Sequence, residues 1–253
     1  MKMHALSGGR LRVRKSVYDA DADRGATMEL PVSAFLLRHP QGNVLFDAGY
    51  HPAAAEDAAA RWGGMARIMA PIAAADDTVV DNLRDVGVGP EDVDLVICSH
   101  LHSDHCGCTA FFTRATLLCH ASELAAARAP DSDRSGYVRD DWDQPLPLQE
   151  IDAEHDVFGD NRIVVVPLPG HTPGTVAAHV ELDRSGSFLL ASDAVSFRDN
   201  LEQGTVPRNT WNVEEATRSL ALVRRIAADG ATVLFGHDDA QWSTLKKGAD
   251  AYE

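Results

Sequence analysis

The sequence has no long apolar run, few aromatic residues and no excess of basic side chains. None of its apolar runs approaches the roughly 18 consecutive residues that a membrane-spanning helix requires. Lysine and arginine number 23 against 38 aspartates and glutamates, which gives a formal net charge of −15 over 253 residues. Because a strongly acidic surface repels phosphate groups, we expect neither nucleic acid nor a membrane as a partner.

Cysteine is scarce as well, and all four residues fall in one short segment. Cys98, Cys106, Cys108 and Cys119 have no cysteine elsewhere in the chain to bridge to, so free thiols are expected rather than a disulfide framework. No apolar segment of signal-peptide length follows the basic N-terminal residues. These features predict a cytoplasmic protein, and they do not predict its oligomeric state.

Short apolar runs alternate with helical patterns along the chain, without a repeat or a flexible linker. We therefore expect one domain over residues 1–253, with an α/β (α+β) fold in which helices cover sheet faces. The segment 129–144 is rich in charged residues and is interpreted as a solvated surface loop. Strands are predicted at 32–37, 44–46, 93–98, 116–119, 162–166, 176–182, 187–190 and 232–235, and helices at 52–61, 78–86, 122–128 and 212–229.

The most informative segment is DLVICSHLHSDHCGC, residues 94–108, in which an apolar strand leads into the pattern H-x-H-x-D-H. His100 and His102 are two positions apart, so they point the same way from an extended backbone and can reach one metal ion. Asp104 and His105 follow just past the bend and can face a second ion. Histidines can also cap a helix or lie on a loop, but four ligand types in six residues after a strand favour a metal site.

Three further strand ends supply the same kinds of side chain. His171 follows the strand 162–166, Asp193 follows the strand 187–190, and His237 follows the strand 232–235. A layered sheet fold can bring such strand ends together from distant parts of the sequence. With the four residues of the first motif, this makes seven candidate ligands, as many as two metal ions with a shared carboxylate require.

The same motifs resemble those of the metallo-β-lactamase superfamily. They are FDAG at 46–49, HLHSDH at 100–105, PGHTPG at 169–174, the strand end at Asp193 and GHD at 236–238. Within the superfamily the chain is most similar to the N-acyl homoserine lactonases, because it shares LPVSAFLLRHPQG followed by VLFDAG, LLASDA and FGHD. The resemblance covers the whole chain and implies a four-layer αββα sandwich.

The resemblance also implies a role for each candidate residue and a cofactor of two zinc ions per chain, with manganese, cobalt or iron as possible substitutes. Asp193 would bridge the two ions, and Asp47 would orient a ligand rather than bind metal itself. The first zinc would be held by His100, His102 and His171, and the second by Asp104, His105 and His237.

The activity implied is opening of the ester ring of a small-molecule lactone, an N-acyl homoserine lactone or a related γ-lactone or ester. A hydroxide bridging the two ions would attack the carbonyl, and Asp104 would act catalytically by passing a proton to the leaving oxygen. Ser196 stands where the lactonases usually place a tyrosine. Candidate pocket residues, for which ordinary core packing remains an alternative, are Tyr50, Met65, Met69, Ser196 and Phe197.

The sequence leaves three other functions open. One is a thioesterase of the glyoxalase II kind, and another is a persulfide dioxygenase with one iron held by two histidines and one aspartate on the same fold. A metal-binding module without catalytic activity is the third. The number and identity of the bound metals separate the dioxygenase from the dinuclear hydrolase.

Overall fold

Two β-sheets lie face to face in the computed structural model, which describes residues 1–23, 25–72 and 77–253. The first sheet mixes antiparallel strands at its N-terminal end with parallel strands further along. Its strands are β1 (Lys2–Arg14), β2 (Thr27–His39), β3 (Gly42–Phe46), β4 (Met69–Pro71), β5 (Leu95–Ile97), β6 (Thr116–His120) and β7 (Leu148–Ile151), in the spatial order β4-β1-β2-β3-β5-β6-β7.

The second sheet is formed by the C-terminal half of the chain. Its strands pair antiparallel except for the last two, which run parallel to each other. They are β8 (His155–Asp156), β9 (Ile163–Pro167), β10 (Val176–Leu182), β11 (Gly186–Ser192) and β12 (Thr232–Phe235), in the spatial order β12-β11-β10-β9-β8.

Helices cover the outer face of each sheet. The longest, α8, begins after Asn212, whose side chain accepts hydrogen bonds from the backbone nitrogens of Glu214 and Glu215 and so caps the helix. The helices of the described residues are α1 (Pro52–Glu56), α2 (Ala58–Trp62), α3 (Val79–Asp85), α4 (Ser103–Cys106), α5 (Ala121–Ala127), α6 (Arg139–Trp142), α7 (Arg198–Gln203), α8 (Val213–Ala228) and α9 (Asp239–Thr244).

Alternation along the strands divides the apolar side chains into three layers. In β2, Phe35 and Leu37 point towards the second sheet, while Leu36 points the opposite way to α3 and α5. On the outer face of the second sheet, Leu189 packs against Leu220 of α8. The layers are therefore helix, sheet, sheet and helix, which confirms the expected αββα sandwich.

Most predicted elements are present, with two informative differences. The helix expected at 52–61 is broken at Asp57, which has φ −149° and caps α2 instead of continuing α1. The long strand β1 was not predicted, because Gly8 and Gly9 interrupt its alternating pattern where its register with β2 shifts.

The four cysteines are free and buried. Their thiols add apolar volume to the core rather than cross-links. Among the residues that the structure describes, no helix combines the length and apolar character needed to cross a membrane.

We predict that Gly107→Ala destabilises the fold, because α4 packs too closely on the chain before α1 at this point. An added Cβ would lie 2.3 Å from the backbone nitrogen of His51 and 2.6 Å from the carbonyl oxygen of Ser103. The free energy of unfolding should fall by about 1–3 kcal/mol in denaturant titrations. Gly25→Ala, where nothing lies within 4 Å of the added Cβ, is the matched control and should change little. Equal stability of both variants would contradict this.

Candidate metal centre

The seven candidate ligands lie close together, each just beyond the end of a strand. His100 and His102 follow β5, and Asp104 and His105 lie in the short helix α4. The ligands beyond the second sheet are His171 after β9, Asp193 at the end of β11 and His237 after β12.

The first group of ligands consists of three imidazoles. The Nδ1 atom of His102 lies 3.1 Å from Nε2 of His100 and 3.1 Å from Nε2 of His171. These three nitrogens lie within 4.8 Å of one another, which is compatible with one shared cation.

The second group consists of Asp104, His105 and His237. Oδ2 of Asp104 lies 3.5 Å from Nε2 of His105 and 3.7 Å from Nε2 of His237. All three residues are buried, and their ligand atoms also lie within 4.8 Å of one another.

The carboxylate of Asp193 lies between the two groups. Its Oδ1 atom is 3.0 Å from Nε2 of His237 and 3.6 Å from Nε2 of His105, while Oδ2 is 3.5 Å from Nε2 of His171. Each oxygen therefore faces a different group of imidazoles.

The donor set suits divalent cations. Nitrogen and carboxylate oxygen donors are typical ligands of zinc and other first-row metals. Nε2 of His105 and Oδ1 of Asp193 are buried and have no hydrogen bond of good geometry among the described residues. Because an unsatisfied buried polar atom is costly, these two atoms fit the role of metal ligands.

The ligand rings are held from behind by hydrogen bonds at their second nitrogens. Nδ1 of His237 donates to the carbonyl oxygen of Pro31 at 2.9 Å, and Nε2 of His102 donates to the carbonyl oxygen of Ser135 at 2.9 Å. These contacts select the ring nitrogen that faces the site.

Asp47 is the centre of a buried network beside the second group. Its carboxylate accepts from Nδ1 of His105 at 2.9 Å, from the backbone nitrogen of Ser99 at 2.8 Å and from the hydroxyls of Ser99 and Ser192 at 2.9 and 3.0 Å. Its backbone has φ 62°, in the left-handed region that aspartate and asparagine tolerate better than most residues. Asp47 therefore orients His105 without facing the shared space itself.

Electrostatics differ between the two groups. Burial lowers the pKa of His100 well below its usual range, and burial also lowers the pKa of His171 to about 3. Both rings are therefore neutral and can donate a lone pair to a cation at neutral pH. Burial acts to raise the pKa of Asp193, but His237 and His171 hold it well below its usual range, so this carboxylate is ionised.

In the second group the nearby carboxylates raise the pKa of both rings. Burial opposes the charge of His105, yet the carboxylates of Asp104 and Asp47 raise its pKa to about 10. Burial likewise opposes the charge of His237, and Asp193 raises its pKa. A cation that binds His105 must therefore displace the proton from its Nε2 atom.

Glu123 ties together the two loops that carry the first group. This glutamate is fully buried in α5, and its carboxylate accepts from the backbone nitrogen of Leu101 at 2.9 Å and from that of Gly174 at 3.0 Å. Leu101 lies between His100 and His102, and Gly174 follows His171 by three positions. Sequence reasoning missed Glu123, because an acid on a short Ala-rich helix looks like an ordinary exposed residue.

A cavity of about 890 Å³ opens onto the ligands and reaches His102, Asp104, His171 and Asp193. Part of the cavity lining is apolar. The apolar lining includes Leu11, Val13, Trp62, Met65, Ile68 and Met69.

Two of the predicted pocket residues, Met65 and Met69, line this cavity. The other three do not. Tyr50 is fully buried beneath Gly9, where an added Cβ would lie 2.3 Å from its hydroxyl. Ser196 is also fully buried, and Phe197 packs its ring edge-on against Tyr18.

The charged segment 129–144 forms one wall of the cavity, although the sequence suggested only a solvated loop. Residues 133–140 line the cavity, and Tyr137 packs its ring 5.2 Å from that of His102. The segment is anchored by the buried carboxylate of Asp141, which accepts a hydrogen bond from Arg61 Nε at 2.8 Å. Tyr18, which also lines the cavity, was missed too.

Comparison with known proteins agrees with this geometry. The family model described as the metallo-beta-lactamase superfamily matches residues 27–237. The chain belongs to the metallo-beta-lactamase superfamily. Its curated full-length relatives are metal-dependent hydrolases of this superfamily, and the chain is a metal-dependent hydrolase as well.

Among the curated members of the superfamily, the N-acyl homoserine lactonase AttM of Azorhizobium caulinodans is 32% identical over 100% of this chain and 99% of its own length. The lactonase AttM of Agrobacterium fabrum is 33% identical over 100% of this chain and 98% of its own length. A solved N-acyl homoserine lactone hydrolase, with the product N-hexanoyl-L-homoserine bound at its catalytic metal centre, superposes with a TM-score of 0.90. That structure is 26% identical and covers 99% of this chain and 98% of its own.

Glu123→Gln should destabilise the protein, because the amide nitrogen of glutamine would face one of the two backbone N–H groups that the carboxylate now accepts. We expect the free energy of unfolding to fall by about 1–3 kcal/mol, as measured by denaturant titration. Glu56→Gln on the exposed side of α1 is the control and should leave stability unchanged. If Glu123→Gln were as stable as the control, Glu123 would not join the two loops.

Proposed function

We propose that the protein is a dinuclear zinc hydrolase that opens the ester ring of an N-acyl homoserine lactone or a related γ-lactone. The observation that carries this proposal is the position of Asp193, whose two carboxylate oxygens face different groups of imidazoles. The relatives named as lactonases supply the substrate class. We also propose that residues 1–253 act as one metallo-hydrolase domain. A cytoplasmic location stays a prediction.

One zinc would be held by the three imidazoles of the first group and the other by Asp104, His105 and His237, with Asp193 shared between them. Two zinc ions, when bound, supply Lewis acidity for the ester carbonyl and a hydroxide nucleophile at neutral pH. Manganese, cobalt or iron would fit the same nitrogen and oxygen donors.

The protein's own side chains would transfer the proton and bind the acyl chain. Asp104 lines the cavity and is buried beside the second group, so its carboxylate can pass a proton to the oxygen that leaves the opened ring. Met65, Met69 and Ile68 offer apolar surface to an acyl chain.

The full set of ligands favours this function over the alternatives that share the fold. A single iron held by two histidines and one aspartate would leave four of the seven candidate ligands without a use. The cavity suits a lactone with an acyl chain, because apolar side chains and candidate metal ligands line the same space.

Removal of metal should abolish lactone hydrolysis. Proton release from a panel of γ-lactones and of short- and long-chain acyl homoserine lactones is the measurement. We expect two equivalents of metal per chain, loss of turnover on chelation and recovery with zinc. His105→Ala and Asp193→Ala should lose metal and activity, whereas His179→Ala, on β10 away from the site, should keep both. Wild-type turnover in both ligand variants would refute the dinuclear site.

Asp47→Asn should weaken metal binding without unfolding the protein. Asparagine keeps the shape and tolerates φ 62°, but it removes the negative charge that faces His105. Metal affinity should fall by about 10–100-fold in competition with a coloured chelator. Asp160→Asn provides the control, because Asp160 and His39 form a similar aspartate–histidine pair outside the site. There the carboxylate of Asp160 accepts a hydrogen bond from Nε2 of His39 at 2.8 Å. Unchanged affinity in Asp47→Asn would contradict the positioning role.

A further inference from the structure

Tyr18 lies in the cavity beside the metal ligands, although it comes from the opposite end of the chain. It follows the short turn Lys15–Val17 after β1, and it lines the same cavity as Asp104, His171 and Asp193. None of the sequence motifs includes it.

The ring of Tyr18 is held in a defined position. It packs edge-on against Phe197, with ring centroids 5.0 Å apart, and lies 6.4 Å from the ring of His237. The backbone is fixed as well, because the nitrogen of Arg208 donates to the carbonyl oxygen of Tyr18 at 2.9 Å and Arg208 Nη1 donates to that of Ser16 at 3.1 Å. The phenol is therefore preorganised rather than free to swing out.

The phenol of Tyr18 lines the same cavity as the carboxylates of Asp104 and Asp193, and its ring lies 6.4 Å from that of His237. Its side chain is only partly buried, and no described residue forms a hydrogen bond with its hydroxyl. A phenol is protonated at neutral pH even with an ordinary pKa of about 10. This O–H is therefore a donor that a molecule in the cavity can reach.

Neither Tyr50 nor Ser196 offers such a donor. Tyr50 is fully buried beneath Gly9, outside the cavity. The hydroxyl of Ser196 is buried and has no hydrogen-bond partner among the described residues, so it is enclosed by protein.

We propose that Tyr18 is a catalytic residue whose hydroxyl donates a hydrogen bond to the carbonyl oxygen of the scissile ester. This proposal rests on the proposed lactone hydrolysis. Negative charge develops on that oxygen as the carbonyl is attacked, and a donor already in place stabilises the charge without reorganisation. The proton stays on the phenol throughout, so no further acid or base is needed.

Tyr18→Phe tests the proposal, because phenylalanine keeps the packing against Phe197 and removes only the donor. In the zinc-loaded protein we expect kcat and kcat/KM for the best lactone to fall by the same factor, about 100-fold. Metal content and Tm should stay at the wild-type level.

A binding measurement makes the test independent of turnover. The charged oxygens of hexylphosphonate can stand in for the developing oxyanion, and calorimetry should show a Kd about 10-fold weaker for Tyr18→Phe. Tyr252→Phe is the matched control, since the Tyr252 hydroxyl accepts from the backbone nitrogen of Lys246 near the C-terminus. Its kinetic constants and Kd should equal those of the wild type.

The possible results separate this proposal from the proposed function. Wild-type kcat and Kd in Tyr18→Phe would overturn the role of Tyr18 and leave lactone hydrolysis standing. A loss of activity that follows a loss of metal would also overturn it, because Tyr18 would then act only through packing. If the wild type opened no lactone, the lactonase function would fail, and a Kd dependent on the Tyr18 hydroxyl would still support its contact with a charged oxygen.

Discussion

Burial of the Asp193 carboxylate between two groups of imidazoles is the constraint on which the site depends. An ionised carboxylate in a protein interior is costly unless opposite charge surrounds it. Three imidazoles lie within 3.6 Å of its two oxygens, and their arrangement leaves each oxygen directed at a different group. Bound cations would supply the remaining positive charge, which agrees with metal use in the superfamily to which the chain belongs.

Two buried carboxylates that do not face the shared space hold this arrangement in place. Glu123 joins the loop after β5 to the loop after β9, and Asp47 joins His105 to Ser99 and Ser192. Both act on backbone or ring N–H groups, so they fix direction as well as distance. The ligands can therefore come from both sheets and still meet within a few ångströms.

The cavity beside this centre has one apolar wall and one charged wall. Its apolar wall comes from the turn after α2 and from β1, while its charged wall comes from the segment 133–140. Tyr18 stands where these walls meet the metal ligands, held by Phe197 and by Arg208. Candidate metal ligands, apolar side chains and a phenol thus line one cavity.

The layered fold and the types of the candidate metal ligands could be predicted from the sequence, because apolar strands followed by histidine or aspartate form a local sequence pattern. Helix α8 with its cap at Asn212 and the strand before His100 are examples.

Other features depended on contacts between distant residues: the break at Asp57, the strand β1, the buried Glu123 and the charged wall around Tyr137. Ser196 and Tyr50 looked like pocket residues in the sequence, yet tertiary packing enclosed them and brought Tyr18 into the cavity. Sequence alone determined which side chains could bind metal, whereas only the tertiary structure decided which other side chains line the cavity, because that depends on how separate elements pack.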